Sequence, residues 1–335
     1  MSQPGGAAQH AAGQHGIENG GPGTADIRRF DAVLSGYAYP FPVSSFPVMH
    51  RGQPLSMRYM DVSPQQPNGK VVLLLHGKNF VAASWGQTMR ALLDRGYRVI
   101  APDQIGFGKS EKPADYPFSF QGLAENTRAL LASLGVQQSA VVGHSMGGML
   151  ATRYALMFPE HTSKLVLVNP IGLEDWKTVV PHRSVELLYA DELAQTRDTL
   201  RAYQEKSYYA GVWKPEYDPY LEPLAGFTQD PDYPKVAWCS ALTQEMIFTQ
   251  PVVYELTALR VPTLLIIGQR DRTAIGKARA PAKVAETLGN YPRLGRATAR
   301  AIPGSKLVEL DGIGHLPQVE AFPRFIAELE SFLKK

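Results

Sequence analysis

The chain predicts an α/β architecture: a doubly wound, mostly parallel sheet interrupted by one helical insertion. Three features carry this. Short apolar runs without polar alternation recur at Val71–Leu75, Arg98–Pro102, 140–143, 164–168, 263–267 and Lys306–Leu310. Such runs suit parallel strands covered on both faces. Helical patterns separate most of them, and that alternation implies right-handed crossovers. The alternation breaks once, between about Leu173 and Tyr254, where Trp176, Trp213, Trp238 and many tyrosines gather.

Taken in order, residues 1–26 are rich in Gly, Ala, Gln and His and poor in large apolar side chains. They cannot bury enough surface to offset their ordering entropy, so a disordered tail is expected. The stretch lacks the basic start and apolar core of a secretory signal. A cytoplasmic protein is expected on that ground, or a periplasmic or secreted one if the chain is a processed or engineered form. Structure begins near Phe30. Val43–His50 and 55–62 read as paired strands around the turn Arg51-Gly52-Gln53-Pro54. Ser84-Trp85-Gly86-Gln87 has the form of a capping box and opens a helix ending near Arg95-Gly96. Helices follow over 121–134 and 146–158, each stopped by Gly or Pro, and 185–204 reads as helical within the insertion. The last helix sets Phe322, Phe325, Ile326, Leu329, Phe332 and Leu333 along one face. The expected division is a core of 27–172 with 254–335, and a helical cap of 173–253.

Composition excludes several classes. At 335 residues the chain can bury a large core without staples, and its single cysteine, Cys239, rules out an internal disulfide framework. The net charge of +3 is no footprint for nucleic acid. No stretch has the apolar length of a membrane span. No metal is expected, because no H-E-x-x-H motif or Cys/His cluster occurs. No cofactor is expected either. Gly106-Phe107-Gly108-Lys109-Ser110 ends like a phosphate loop, but Asp103 stands where the first glycine belongs.

The chemistry centres on Gly143-His144-Ser145-Met146-Gly147, directly after one apolar run and opening a helix. Small residues two before and two after the serine let a sharp strand-to-helix turn expose its hydroxyl. A serine needs a base, and the base needs an orienting acid. His315 lies just beyond the last run, at the carboxyl end where such sheets bind ligands, and Asp271 holds the same position after the preceding run. The order Ser145, Asp271, His315 therefore reads as nucleophile, acid and base. Two backbone amides should stabilise the oxyanion: Met146, and Lys78 in the loop after Val71–Leu75, with Asn79 the second choice. In a hydrolase reading, Asp103 is expected to support the site through hydrogen bonds rather than to take part in the chemistry. Asn169, at the end of another run, carries no carboxylate.

The motifs His76-Gly77, Asp103-Gln104-Ile105-Gly106-Phe107-Gly108-Lys109-Ser110, Gly143-His144-Ser145-Met146-Gly147-Gly148, Pro262-Thr263-Leu264-Leu265 to Asp271, and Gly314-His315 span about residues 71–320. On these the chain resembles an α/β-hydrolase, and within that superfamily it is similar to bacterial carboxylesterases of lipolytic family V. The resemblance implies an α/β-hydrolase fold with an eight-stranded sheet and a helical cap. It also implies acyl-enzyme hydrolysis of small to medium uncharged esters, with a small-molecule ester and water as partners and no nucleic acid. Substrate contacts are expected at Asn79, Phe80, His144, Trp176, Trp213 and Ile313. Lys78-Asn79-Phe80 departs from the glycines or proline that many relatives carry after His-Gly. The segment Leu288-Gly289-Asn290-Tyr291-Pro292 is expected to border the cap or the site.

Other readings stay open. Carbon–carbon hydrolases of ring-cleavage products share the Ser, Asp, His set and a cap. Acyltransferases and perhydrolases differ mainly in what accepts the acyl group. A ligand receptor could retain the fold for sensing. Haloalkane dehalogenases and epoxide hydrolases of this fold use an Asp nucleophile, and Ser145 argues against both.

Overall fold

The computed structural model describes residues 28–335, so the expectation for residues 1–26 lies outside the described residues. One sheet holds β1 (Val43–His50), β2 (Gln53–Val62), β3 (Val71–Leu75), β4 (Arg98–Pro102), β5 (Ser139–His144), β6 (Thr162–Val168), β7 (Thr263–Gly268) and β8 (Lys306–Leu310). Their order is β1-β2-β4-β3-β5-β6-β7-β8. The pairs β1–β2 and β2–β4 are antiparallel, and β4 through β8 pair in parallel. The inner strands lack alternation because both their faces are covered. Leu73, Val141, Leu165 and Leu265 enter one apolar layer, while their neighbours Val72, Val142, Val166 and Leu264 enter the other.

The first layer is covered by α2 (Phe120–Ser133) and α3 (Met146–Met157), the second by α1 (Gly86–Asp94). The expected capping box at Ser84 is not formed. A 3₁₀ turn over Ala82–Trp85 precedes α1, so Ser84 lies inside that turn and its hydroxyl donates to the Val81 carbonyl at 2.7 Å.

Between β6 and β7 the chain builds α4 (Val185–Leu193), α5 (Arg197–Ser207), α6 (Asp218–Phe227) and α7 (Tyr233–Thr249). The single helix expected over 185–204 is thus two. Thr196 provides the break: its hydroxyl accepts from Thr199 N at 3.2 Å, and Thr199 Oγ1 accepts from Thr196 N at 2.9 Å. That reciprocal pair satisfies amides a continuous helix would have bonded differently. The long connection after β7 carries α8 (Ala282–Thr287) and α9 (Tyr291–Ala301), and α10 (Pro317–Glu320) and α11 (Phe322–Lys334) close the fold. Phe325, Leu329 and Leu333 of α11 bury themselves in the second layer, completing its helical cover beside α1. Among the described residues no helix is long and apolar enough to cross a membrane.

Candidate active site

The turn between β5 and α3 places Ser145 at φ 57°, ψ −121°. A non-glycine residue there costs roughly 1–3 kcal/mol and persists only where its surroundings enforce it. Here they do. Ser145 N donates to Val168 O at 3.2 Å, and its carbonyl accepts from Gly148 N at 2.9 Å and Ile171 N at 3.2 Å. The flanking glycines are steric requirements. A Cβ at Gly143 would lie 2.1 Å from Gly147 O, and one at Gly147 would lie 2.2 Å from Leu75 O.

Asp271 and His315 are fully buried just past β7 and β8. His315 Nδ1 donates to Asp271 Oδ2 at 2.6 Å. Asp271 Oδ2 also accepts from Asn169 Nδ2 at 2.8 Å, and Oδ1 from Thr273 N at 2.8 Å. Three donors thus hold a carboxylate that is fully buried. His315 N donates to Tyr208 O at 2.8 Å, and the His315 carbonyl accepts from His144 Nε2 at 2.9 Å. On either side, Gly314 N and Leu316 N donate to Glu320 Oε1, each at 3.1 Å. Burial pushes the Glu320 carboxyl above its ordinary range. With Nδ1 committed to Asp271, Nε2 is the nitrogen left for chemistry, and among the described residues it has no hydrogen-bond partner.

The loop after β3 runs beside the serine, since a Cβ at Gly77 would lie 2.9 Å from Ser145 Cβ. His76 anchors it: Nδ1 donates to Gly77 O at 2.9 Å and Nε2 accepts from Gln104 N at 3.2 Å. Phe80 N donates back to Gly77 O at 3.1 Å, whereas among the described residues the Lys78 and Asn79 amides have no backbone acceptor. Met146 is buried at the first turn of α3. Asp103, also fully buried, accepts from Ala82 N, Lys109 N and Tyr39 Oη at 2.6–2.8 Å, tying the N-terminal segment to two loops.

Lys78, Phe80, Gly108, Glu192, Phe227 and Ser240 border a cavity between this loop and the helical insertion. Of the other expected substrate contacts, Asn79 and Phe80 line that cavity. His144 is buried against Phe80, Trp85 and His315. Burial, and His315 after it, hold its imidazole well below the ordinary histidine range. Trp176 is packed in the first apolar layer, and Trp213 packs edge-on against Tyr209 and Tyr217. Ile313 packs against the second layer, its carbonyl accepting from Arg270 N at 2.8 Å. Tyr291, in the long connection, reaches the site rim: its ring lies edge-on to His315 at 6.4 Å, and its hydroxyl donates to Pro170 O at 3.1 Å.

Sequence reasoning passed over Asn169 and Glu320 as site residues, and it offered Tyr208 only as one of several insertion aromatics that could line a pocket. Asn169 was legible as the end of a strand, but its value is a carboxamide donor to an acid 102 residues away. No local pattern signals that.

A buried acid–imidazole pair beside a strained serine elbow, on this sheet order, defines the class of α/β-fold hydrolases. A family model described as the alpha/beta hydrolase fold matches residues 70–322, and the chain belongs to that family. It is a hydrolase. It is 30% identical over 293 residues to a 2-hydroxymuconate semialdehyde hydrolase of Pseudomonas putida, covering 80% of this chain and 88% of that one. Its fold matches a probable hydrolytic enzyme of Pseudomonas aeruginosa PAO1 at TM-score 0.91 and 52% identity, over 92% of this chain and 99% of that one. An esterase of Exiguobacterium antarcticum shares the fold at TM-score 0.63 and 22% identity, over 84% and 97% of the two chains.

Proposed function

We propose that Ser145, His315 and Asp271 act as nucleophile, base and acid in the hydrolysis of carboxylic esters. The observation that carries this reading is the Nε2 of His315, without a hydrogen-bond partner among the described residues, on a ring held through Nδ1 by Asp271. In this reading Ser145 Oγ attacks the ester carbonyl carbon while its proton passes to His315 Nε2. The amides of Met146 and Lys78, or of Asn79 in place of Lys78, receive the oxyanion. Collapse breaks the C–O bond, the leaving alcohol takes the proton from His315, and water repeats the sequence to release the acid. The insertion over 173–253 acts as a cap that limits the size of small to medium uncharged esters. The lipolytic family V resemblance favours the same reading.

The test is turnover of a short-chain aryl ester by the wild-type chain and by Ser145→Ala. A loss of ~10⁴-fold or more is expected. Equal rates would sink the nucleophile assignment. The Pseudomonas putida relative, by its name, favours a second reading, hydrolytic cleavage of a carbon–carbon bond on the same triad. Rapid loss of a dienone substrate's absorbance, with negligible ester turnover, would replace the first reading by the second.

A further inference from the structure

One residue of the insertion touches both parts of the proposed chemistry. Tyr208, immediately after α5, stacks its ring on the His315 imidazole, with centroids 4.6 Å apart and planes 24° from parallel. Its carbonyl accepts the His315 amide at 2.8 Å, and its hydroxyl accepts from Asn79 Nδ2 at 2.8 Å. Asn79 belongs to the loop whose amides are assigned to the oxyanion. One position earlier, Lys78 Nζ donates to Glu192 Oε1 at 2.8 Å and Ser240 Oγ at 2.6 Å, on α4 and α7. The two side chains flanking the candidate oxyanion amides are therefore both held by the insertion. Tyr208 is buried, and that burial raises its phenol well above the ordinary range, so its oxygen meets Asn79 as a neutral hydroxyl.

We propose that Tyr208 is a positioning residue through which the insertion sets the His315 ring and the Asn79 arm of the oxyanion loop together. The proposal rests on the triad reading above. The bond to Asp271 fixes one atom of the imidazole but leaves the ring free to tilt about it. The flat face of Tyr208 opposes that tilt, and its π-face favours the imidazolium that forms as Ser145 gives up its proton. The bond from Asn79 opposes movement of the loop away from the reacting carbonyl. An insertion displaced from the core would release the base and the oxyanion loop in one event.

The experiment follows phosphonylation of Ser145 in the full chain by a small alkyl fluorophosphonate, separating kinact from KI. This readout depends on the base and the oxyanion donors but not on which substrate the enzyme turns over. Absence of wild-type labelling overturns the triad reading itself. Given wild-type labelling, Tyr208→Leu is expected to lower kinact by about 10- to 100-fold, the scale of a small misplacement of reacting groups, with KI nearly unchanged. Tyr208→Phe keeps the stack and loses the Asn79 bond together with the phenol's contact to Tyr203, so it should restore most of kinact and leave a deficit of about 2- to 10-fold. Asn79→Ala should add nothing to that deficit in the double variant. Should Tyr208→Leu fail to fold, the Tyr208→Phe and Asn79→Ala cycle still decides. Wild-type kinact in folded Tyr208→Phe, losses confined to KI, or additive losses in the cycle overturn the proposal while leaving the triad standing.

Discussion

Asp271 is fully buried, so its carboxylate is cut off from bulk solvent and depends on the donors the fold brings to it. The His315 bond is the one the proposed chemistry uses, and the Asn169 and Thr273 bonds hold the carboxylate in the plane that makes it. These roles rank differently. Asp271→Asn presents an amide in place of the acceptor that selects the imidazole tautomer, and kcat/KM for an aryl ester should fall by ~10⁴. Asn169→Leu leaves Asp271 with His315 and Thr273 but removes one donor and strands Gly268 N, which donates to Asn169 Oδ1 at 2.8 Å. Its expected loss is about 10- to 100-fold in rate, with roughly 1–3 kcal/mol of stability for the buried amide left unpaired. Steady-state kinetics and urea titration read both. A loss for Asn169→Leu as large as that for Asp271→Asn would mean Asn169 does more than hold the acid.

At the scale of elements, the ends of β7 and β8 and the start of the residue-208 loop meet without spare space. A Cβ on Gly314 would lie 1.9 Å from the Tyr208 carbonyl, the atom that accepts the His315 amide. A Cβ on Gly268 would lie 1.9 Å from the Gly314 carbonyl. Gly314→Ala must therefore push the loop off His315 or His315 off the loop. Overpacking of this kind costs about 1–3 kcal/mol. The expected outcome is a melting temperature lower by a few degrees and Ser145 labelling at least 10-fold slower, read by thermal denaturation and probe kinetics. Unchanged labelling in a destabilised variant would separate packing from function. This junction also marks how far the sequence could be read. Ser145, Asp271 and His315 each follow an apolar run, so strand ends alone place them on one edge. Val185 onward offered helical composition but no register. Where Tyr208 lands depends on the break at Thr196 and on how the turn after α5 meets the segment following β8, which are tertiary outcomes. Asn169 could be placed at a strand end for the same reason as Asp271, yet its partner is chosen by the pairing of β6 with β7.

For the whole molecule, two buried neutral histidines tie acid stability to the architecture of the site. Burial holds both His76 and His144 below the ordinary histidine value of 6.5. His76 Nε2 accepts a bond from Gln104 N, so protonation there would set one N–H against another. His144 lies against His315, a neighbour that adds to burial in disfavouring its charged form. The unfolded chain takes up protons on these residues as pH falls below about 6.5, while the folded chain does not until lower pH. The unfolded state therefore binds more protons, and stability drops as pH falls through this window, by up to about 1.4 kcal/mol per pH unit for each histidine. Glu320 works against this. Its carboxyl is raised above 4.5 in the folded protein, so the folded state keeps that proton longer, and stability declines as pH rises from 4.5 toward the folded value. Two groups of one sign face one of the other, and the histidine slope should prevail between pH 5 and 6.5. Urea midpoints are expected to fall from pH 7 to pH 5 in the wild type. The decline should flatten in His144→Gln, which cannot take up the proton when unfolded, and steepen in Glu320→Gln, which lacks the opposing carboxyl. An acid slope in His144→Gln equal to that of the wild type would show that this histidine does not carry the linkage, and would move the source of acid sensitivity away from the Ser145 elbow.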